Sequence, residues 1–255
     1  MLRTRVMPSL LLKNGGLVKT VRFTDDQYVG DPLNAVRIYN QKEVDELVVY
    51  DISKTTESKG IDFDLIEKIA SQCFMPVCYG GGVKSLQDFK ALFSLGVEKV
   101  SVSSLLFDNP EIVRQAIDIF GSQSIIATVD LRKPFLRSKY IVKTHSGTVK
   151  RSIKVSQVVH YCESLGIGEI VINNINQEGT WDGFDIDLLK IITANATVPV
   201  VALGGAGSLE DIRAAVYDGG ASAVCIGSMA VFQSKGMGVL IKFPKLSELE
   251  KVFGT

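Results

Sequence analysis

Residues 81–88 read GGVKSLQD, and residues 204–211 read GGAGSLED. The two segments lie 123 residues apart, from position 81 to position 204, which is about half of the 255-residue chain. The similarity extends further, because residues 91–104 align with residues 214–228 when one extra residue is allowed in the second copy. A repeat of this size predicts a fold built from two similar halves.

Short runs rich in β-branched residues alternate with amphipathic segments along the chain, which indicates parallel strands linked by helices. Several runs are apolar throughout, as expected where helices cover both faces of a sheet. Ser85 and Ser208 each precede an apolar periodicity and are predicted to cap a helix. The eight predicted strands centre on Met7–Leu12, Leu47–Asp51, Pro76–Tyr79, Lys99–Ser103, Ser124–Asp130, Glu169–Asn173, Val198–Leu203 and Ala223–Ile226.

Eight strand–helix units in a chain of this length predict a single (β/α)8 domain, a TIM barrel, that spans residues 1–255 and is built from two half-barrel repeats. No linker rich in Pro or Ser interrupts the series. An open, doubly wound sheet is the alternative. That fold usually carries a GxGxxG turn after its first strand, where this chain has Leu12-Lys13-Asn14-Gly15-Gly16.

The charge balance argues against several classes of function. The chain has 28 basic and 28 acidic residues, so nothing in its net charge favours nucleic acid or an anionic membrane as a partner.

No apolar run reaches the ~18 residues that span a bilayer, and Pro8 comes too early for a secretory signal, so we expect a cytoplasmic protein. The four cysteines lack CxxC spacing, and neither a metal site nor a cofactor is expected.

The loops after the strands predict two anion sites. In a (β/α)8 barrel these loops converge on one mouth, and glycines there let backbone amides approach a phosphate. Glycines also serve simply as tight turns, but their duplication in both halves favours a substrate with two phosphates. The predicted phosphate-binding residues are Gly81, Gly82, Ser103 and Ser104 in the first half, and Gly204, Gly205, Gly227 and Ser228 in the second.

Charged residues at the same strand ends are candidates for acid–base catalysis. They are Asp130 after the fifth strand, Asp51 after the second, Lys19 in the first loop and Glu178 after the sixth. Each has a structural alternative, since such aspartates often cap helices and the lysine could be solvated. In the repeat alignment Leu11 falls opposite Asp130, so the symmetric position lacks the carboxylate that a two-aspartate mechanism needs.

Residues 138–150 alternate in polarity about a turn at Ser146-Gly147. This pattern predicts a hairpin inserted after the fifth strand. A long loop on the active face can cover a substrate, although it could equally be decoration.

Segments distributed along the chain match one known family in order and spacing. They are 17–19, 30–32, 45–48, 80–83, 98–101, 120–123, 179–180 with 183, and 204–207. Through them the chain resembles the cyclase subunit of imidazole glycerol phosphate synthase over essentially its whole length. In that family a glutaminase subunit docks on the amino-terminal face of the barrel. Its ammonia crosses the core to the opposite mouth, where a bisphosphorylated ribulosyl formimino carboxamide nucleotide is cleaved and cyclised.

The resemblance assigns roles residue by residue. Asp130 matches one of the family's two catalytic aspartates, and Lys19 and Asp51 match supporting positions. The second catalytic aspartate falls at Leu11, which cannot transfer a proton. Departures also occur at Ser103, Asn176 and Glu178, where the family usually has Asn, Asp and Asp. The charged ring at the family's ammonia entrance matches Arg5, Glu46, Lys99 and Glu169.

The chain keeps the charged ring of the ammonia entrance but has Leu11 in place of one catalytic aspartate. In this combination it resembles the second copy of this barrel found in bacterial surface-polysaccharide gene sets. That resemblance implies a glutaminase partner and a separate amidotransferase that converts an acetamido sugar to an acetamidino sugar. The leading hypothesis is an ammonia-channelling, lyase-type synthase subunit. A true histidine-pathway cyclase with altered acid–base chemistry and a non-catalytic scaffold that activates the glutaminase remain the alternatives.

Overall fold

A computed structural model describes residues 4–56, 60–135 and 139–254 of the chain. The strands are β1 (Arg5–Lys13), β2 (Gly16–Val21), β3 (Thr24–Gly30), β4 (Leu47–Asp51), β5 (Val77–Gly80), β6 (Lys99–Val102), β7 (Ile125–Arg132), β8 (Ile141–Thr144), β9 (Val149–Lys150), β10 (Glu169–Asn174), β11 (Val200–Leu203) and β12 (Ala223–Ile226). The helices are α1 (Pro32–Lys42), α2 (Ser53–Thr56), α3 (Phe63–Gln72), α4 (Leu86–Ser94), α5 (Leu105–Asp108), α6 (Pro110–Phe120), α7 (Val155–Ser164), α8 (Ile186–Thr193), α9 (Leu209–Tyr217), α10 (Ser228–Val231) and α11 (Leu246–Phe253), with a 3₁₀ turn at Ser122–Ser124.

Eight of the strands close into a parallel barrel. The pairing runs β1-β4-β5-β6-β7-β10-β11-β12 and returns to β1, where Arg5 pairs with Ala223 and Pro8 pairs with Ile226. Each predicted strand is present, with its ends within two residues of the expected bounds. The prediction of a (β/α)8 barrel is confirmed, and the open doubly wound sheet was the wrong alternative.

The two glycine-led segments start their helices in the same way. The Ser85 hydroxyl accepts a hydrogen bond from the amide of Asp88, and the Asp88 carboxylate accepts one from the Ser85 amide. Ser208 and Asp211 repeat this capping box at the start of α9. Both predicted caps are confirmed, and each satisfies amides that the first helical turn would otherwise leave unpaired.

Two packed layers hold the barrel together. Side chains between the strands and the surrounding helices form the larger apolar cluster, and the side chains that line the lumen form a smaller one. This arrangement follows from the alternation of side chains along each strand, which sends every second residue inward. The lumen cluster consists of Met7, Val48, Cys78, Ile126, Val171, Val201, Ala223 and Cys225, each at most 4% exposed.

Two hairpins extend the sheet at the carboxyl ends of the barrel strands. One, β8–β9, follows β7 and confirms the hairpin predicted there. The other, β2–β3, follows β1 and was not predicted; it carries Lys19, which sequence analysis had placed in a loop. Across the part of the chain that is described, no helix combines the length and apolarity needed to cross a membrane.

Candidate active site

A cavity of about 180 Å³ opens at the carboxyl ends of the barrel strands. It brings together every residue that the sequence predicted for catalysis or phosphate binding. These are Lys19, Asp51, Gly81, Gly82, Ser103, Ser104, Asp130, Glu178, Gly204, Gly205, Gly227 and Ser228. Convergence of loops at this end is the usual place for chemistry in such barrels.

Asp130 lies in β7 with its carboxyl group buried in the cavity wall. Asn173, its register partner in β10, donates a hydrogen bond from Nδ2 to Asp130 Oδ1 at 2.9 Å. Burial raises the pKa of Asp130 to about 7, an effect that the Asn173 hydrogen bond opposes and the charge of Glu178 reinforces. A carboxyl group that gains or loses its proton near neutral pH is suited to general acid–base catalysis.

We expect Asp130→Asn to stabilise the protein more at neutral pH than in acid. Below about pH 4 the carboxyl is protonated in both states; above that pH the unfolded chain releases the proton while the folded chain keeps it until about pH 7. The folded wild type therefore loses stability as the pH rises through this window, and the asparagine variant does not. The expected gain at about pH 8 relative to about pH 4.5 is on the order of 2–4 kcal/mol.

Urea unfolding of both proteins at the two pH values measures this difference. Asp118→Asn on the exposed face of α6 is the matched control and should show no such dependence. An equal effect of Asp130→Asn at both pH values would contradict the raised pKa.

Lys19 reaches the cavity from β2 and is 6% exposed. Its Nζ donates a hydrogen bond to the Ser9 carbonyl at 2.9 Å, and burial lowers its pKa to about 8 against the opposing charge of Glu178. A Cβ at Gly227 would lie 2.6 Å from Lys19 Nζ. Glycine at 227 therefore has a packing reason that is independent of any phosphate: it leaves space for the lysine.

Asp51 ends β4 and is 5% exposed. Its Oδ1 accepts hydrogen bonds from the Ser53 amide at 3.2 Å and from the Ser53 hydroxyl at 2.8 Å, and Lys54 Nζ lies 3.8 Å from Oδ2. Burial raises the pKa of Asp51, and these contacts oppose the rise. Asp51 therefore makes the contacts of a capping residue, and they fix the loop at the start of α2.

The glycine loops approach neighbouring backbone closely in both halves. Gly81 has φ +126°, and a Cβ there would collide with the Asp51 carbonyl; Gly205 has φ +116°, and a Cβ there would collide with the Gly183 carbonyl. Side chains at either position would be strained by the conformation as well as by the contact. The glycines therefore set the shape of the two loops that border the cavity.

Gly81→Ala is expected to lower the free energy of unfolding by about 2–3 kcal/mol, because the clash is with backbone that cannot rotate away. Gly238→Ala is the matched control, since its Cβ would meet no atom within 4 Å and its φ is not positive. Chemical denaturation of the two variants checks this. A loss at Gly81 no larger than at Gly238 would contradict the geometry.

Two polar atoms in the cavity wall have no hydrogen-bond partner among the described residues. They are Ser103 Oγ and Asn173 Oδ1, both fully shielded from solvent. Buried polar atoms without partners are rare in folded proteins. Their hydrogen-bonding capacity is unused, and Asn173 had not been identified from the sequence because its bond to Asp130 depends on the pairing of two strands.

Leu11 lies on the cavity wall, in register with Tyr50 of β4. It places an isobutyl group where the repeat alignment puts the counterpart of Asp130. His145 and Ser146, in the turn of the β8–β9 hairpin, also line the cavity, although sequence analysis gave His145 no role. In the described portion of the chain, no group of three or more His, Cys, Asp or Glu side chains is arranged to hold a metal ion.

Four charged residues form a closed ring at the opposite, amino-terminal end of the lumen. Glu46 bonds Arg5 and Lys99 at 2.7 Å each, while Glu169 bonds Lys99 at 3.1 Å and also pairs with Arg5. Burial alone would lower the pKa of both cations, but Glu169 and Glu46 outweigh it and raise the pKa of Arg5 and Lys99. The structure thus brings together all four residues predicted for the ammonia entrance.

Fold and site together define a class: a (β/α)8 barrel with a buried carboxyl group and glycine-bordered loops at its carboxyl-terminal mouth and a charged ring at its other end. A family model described as "Histidine biosynthesis protein" matches residues 5–235. The chain belongs to that family and, within it, to the cyclase subunits of imidazole glycerol phosphate synthase, a lyase-type enzyme family. The resemblance inferred from the sequence is confirmed.

Individual relatives match over nearly the full length. A provisionally named imidazole glycerol phosphate synthase subunit HisF of Leptospira interrogans is 42% identical over 253 residues, 99% of this chain and 100% of that protein. A provisionally named subunit hisF2 of Pseudomonas aeruginosa is 43% identical over 250 residues, covering 98% and 99% of the two chains. Imidazole glycerol phosphate synthase subunit HisF of Desulfovibrio desulfuricans is 37% identical over 233 residues, 90% of each chain.

Proposed function

We propose that this barrel is an ammonia-channelling synthase subunit that works with a glutaminase. The glutaminase docks on the amino-terminal face, and ammonia crosses the lumen to the carboxyl-terminal mouth. The observation that carries the proposal is the contrast between the two ends of the lumen. The entrance keeps four mutually paired charges, whereas the mouth has Leu11 in place of a proton-transferring group.

The lining between the two ends supports passage of a neutral molecule. Above the ring, the lumen is lined by the apolar cluster around Met7, Val48 and Cys78. Transfer of an unpaired ammonium ion into such surroundings is very costly, whereas neutral ammonia bears a much smaller desolvation penalty. The lumen would therefore pass ammonia and exclude its protonated form.

We further propose that the acceptor of the ammonia is an acetamido sugar, which a separate amidotransferase converts to an acetamidino sugar during surface-polysaccharide (O-antigen) synthesis. Leu11 supports this, because a barrel that no longer cyclises a nucleotide has no use for an acid at that position. The numbered name of one relative, subunit hisF2 of Pseudomonas aeruginosa at 43% identity, fits a paralogue of the synthase subunit.

The mouth would still bind an anionic ligand. Asp130 is the proposed proton-transfer group, Lys19 is a cation of the mouth that interacts with the charge of Glu178, and Asp51 fixes the loop at the start of α2. Ser103 Oγ and Asn173 Oδ1 offer unused hydrogen-bonding capacity beside them. The two glycine-bordered loops and Ser104 and Ser228 are the proposed phosphate contacts.

Glutamine hydrolysis tests the proposal. The glutaminase subunit from the same genome is assayed alone and with the purified barrel, and we expect the barrel to raise its rate about tenfold or more, a typical coupling between subunits. Lys99→Met, which removes one cation from the ring, should reduce the stimulation. Lys13→Met, which removes an exposed cation from the opposite end, should leave it intact. An unchanged glutaminase rate in the presence of the barrel would refute the proposal.

Cyclisation itself is the second candidate, and one observation favours it. Asp130 is buried, held by Asn173 and able to exchange a proton near neutral pH, as a surviving catalytic acid would be. In this case Lys19 or water would replace the group missing at position 11. Direct measurement of cyclase turnover separates the two candidates.

A further inference from the structure

The side chain of Tyr50 crosses the barrel lumen. Tyr50 lies in β4 and Thr128 lies in β7, with β5 and β6 between them in the barrel wall. The two side-chain oxygens are nevertheless 2.9 Å apart. Since the strands are three positions apart around a closed barrel, the tyrosine spans the interior to make this contact. Thr128 Oγ1 is also 2.7 Å from Ser101 Oγ, so the three hydroxyls form one chain.

The neighbouring strand is shaped to hold the ring in this position. A Cβ at Gly80 would lie 2.8 Å from Tyr50 Cδ1, so glycine at position 80 makes the space that the ring occupies. Burial raises the pKa of Tyr50 well above its ordinary value, and the hydroxyl is therefore neutral at physiological pH. It can therefore donate a hydrogen bond to Thr128 across the lumen.

Tyr50 lies at the boundary between two compartments. Together with Ser101 and Thr128 it lines the mouth cavity, which Cys225 of the apolar cluster also reaches, whereas Met7, Val48 and Cys78 of that cluster lie outside the cavity. The ring and its hydroxyl chain therefore form the floor of the mouth and the ceiling of the apolar part of the lumen.

We propose that Tyr50 is an internal gate, and that breaking its bond to Thr128 is the step that connects the apolar lumen to the mouth. The closure follows from the geometry alone. Its use as a gate for ammonia rests on the proposed function. The three hydroxyls are the first hydrogen-bonding groups that a molecule leaving the apolar layer would meet. Ammonia, with one lone pair and three N–H groups, can accept from Tyr50 and donate to Thr128, so it replaces the bond it displaces.

Cysteine labelling tests the gate without ammonia. Cys225 and Cys78 both belong to the apolar cluster, but only Cys225 also lines the mouth cavity, and Cys162 is buried in α7 away from the lumen. The chain is treated with methyl methanethiosulfonate, and the rate at each cysteine is followed by peptide mass spectrometry. Burial raises the pKa of all three thiols and slows their reaction, so the rates are compared between variants at one pH. Cys162 reports unfolding within the same sample.

In the wild type, Cys78 is expected to react more slowly than Cys225. Tyr50→Ala should accelerate Cys78 by about tenfold or more with no change at Cys162, because the floor is removed without loss of the fold. Tyr50→Phe keeps the ring but loses one buried hydrogen bond, so a smaller rise of about fivefold is expected. The charged ring is unchanged in all variants. Reagent that enters the lumen from the amino-terminal end therefore contributes equally to the labelling rate of each variant.

Two results would overturn the gate: wild-type Cys78 reacting as fast as Cys225, or no acceleration of Cys78 in folded Tyr50 variants. If Tyr50→Ala unfolds, which Cys162 would reveal, the Tyr50→Phe variant decides. Because no glutaminase takes part, a failed glutaminase assay with the expected labelling would refute ammonia delivery and leave the closure intact.

Discussion

Leu11→Asp is expected to give cyclase turnover about 10²-fold above the background level at which we expect the wild type to remain, the lower end of what one acid–base group contributes. The reaction is the cyclisation of the bisphosphorylated ribulosyl nucleotide with saturating ammonium. Leu11 already lines the cavity that holds Asp130, so the new carboxylate would face the same space as its partner. Steady-state kinetics of the variant and the wild type measure the gain.

Leu11→Asn is the matched control for this experiment. Asparagine has nearly the shape of aspartate but cannot transfer a proton, and we expect it to leave turnover at the wild-type level. Adding Asp130→Asn to Leu11→Asp should remove the gain, since the two groups would act together. Equal turnover with Asp, Asn and Leu at position 11 would show that the missing carboxylate does not limit the reaction.

The second large effect concerns the charged ring. Arg5→Met with Lys99→Met leaves Glu46 and Glu169, which are 4% and 7% exposed, without a cation. Breaking a buried ion pair costs about 3–5 kcal/mol because it leaves an uncompensated charge, and we expect a loss of this size. Lys99→Met alone should cost much less, because each glutamate keeps its bond to Arg5.

Urea unfolding at neutral pH measures these losses, provided that the slope m is unchanged. Lys13→Met, which breaks the exposed pair with Asp26, is the control and should cost at most about 1 kcal/mol. A double variant as stable as this control would mean that the ring carries no stabilising charge pairing. If Lys99→Met lowered the free energy of unfolding as much as the double variant does, Arg5 alone would not be stabilising the two glutamates.

Much of the fold was predictable because its signals are local. The glycine pairs, the capping serines and the apolar runs each specify a short segment, and their repetition at 123 residues specifies the barrel. The mouth was predictable for a related reason: the carboxyl ends of parallel strands converge, so residues that follow different strands share one cavity. All twelve residues predicted as acid–base candidates or phosphate contacts line it.

Features that depend on contacts across the barrel were not predictable. The bond from Asn173 to Asp130 requires the register of β7 against β10, and the reach of Tyr50 to Thr128 requires the diameter of the closed barrel. Neither leaves a periodic signal in the sequence. The contacts of Asp51 with Ser53 illustrate a different limit, since a strand-end aspartate has the same sequence signature whether it caps a loop or transfers a proton.

The central claim is that the barrel keeps the route for ammonia but no longer cyclises the nucleotide. The most direct test is steady-state turnover of the purified wild-type chain with the bisphosphorylated ribulosyl nucleotide and saturating ammonium, alongside Asp130→Asn. We expect no turnover above background from a folded barrel, and no difference between the two proteins. Turnover by the wild type that Asp130→Asn abolishes would make the chain a true cyclase and contradict the account.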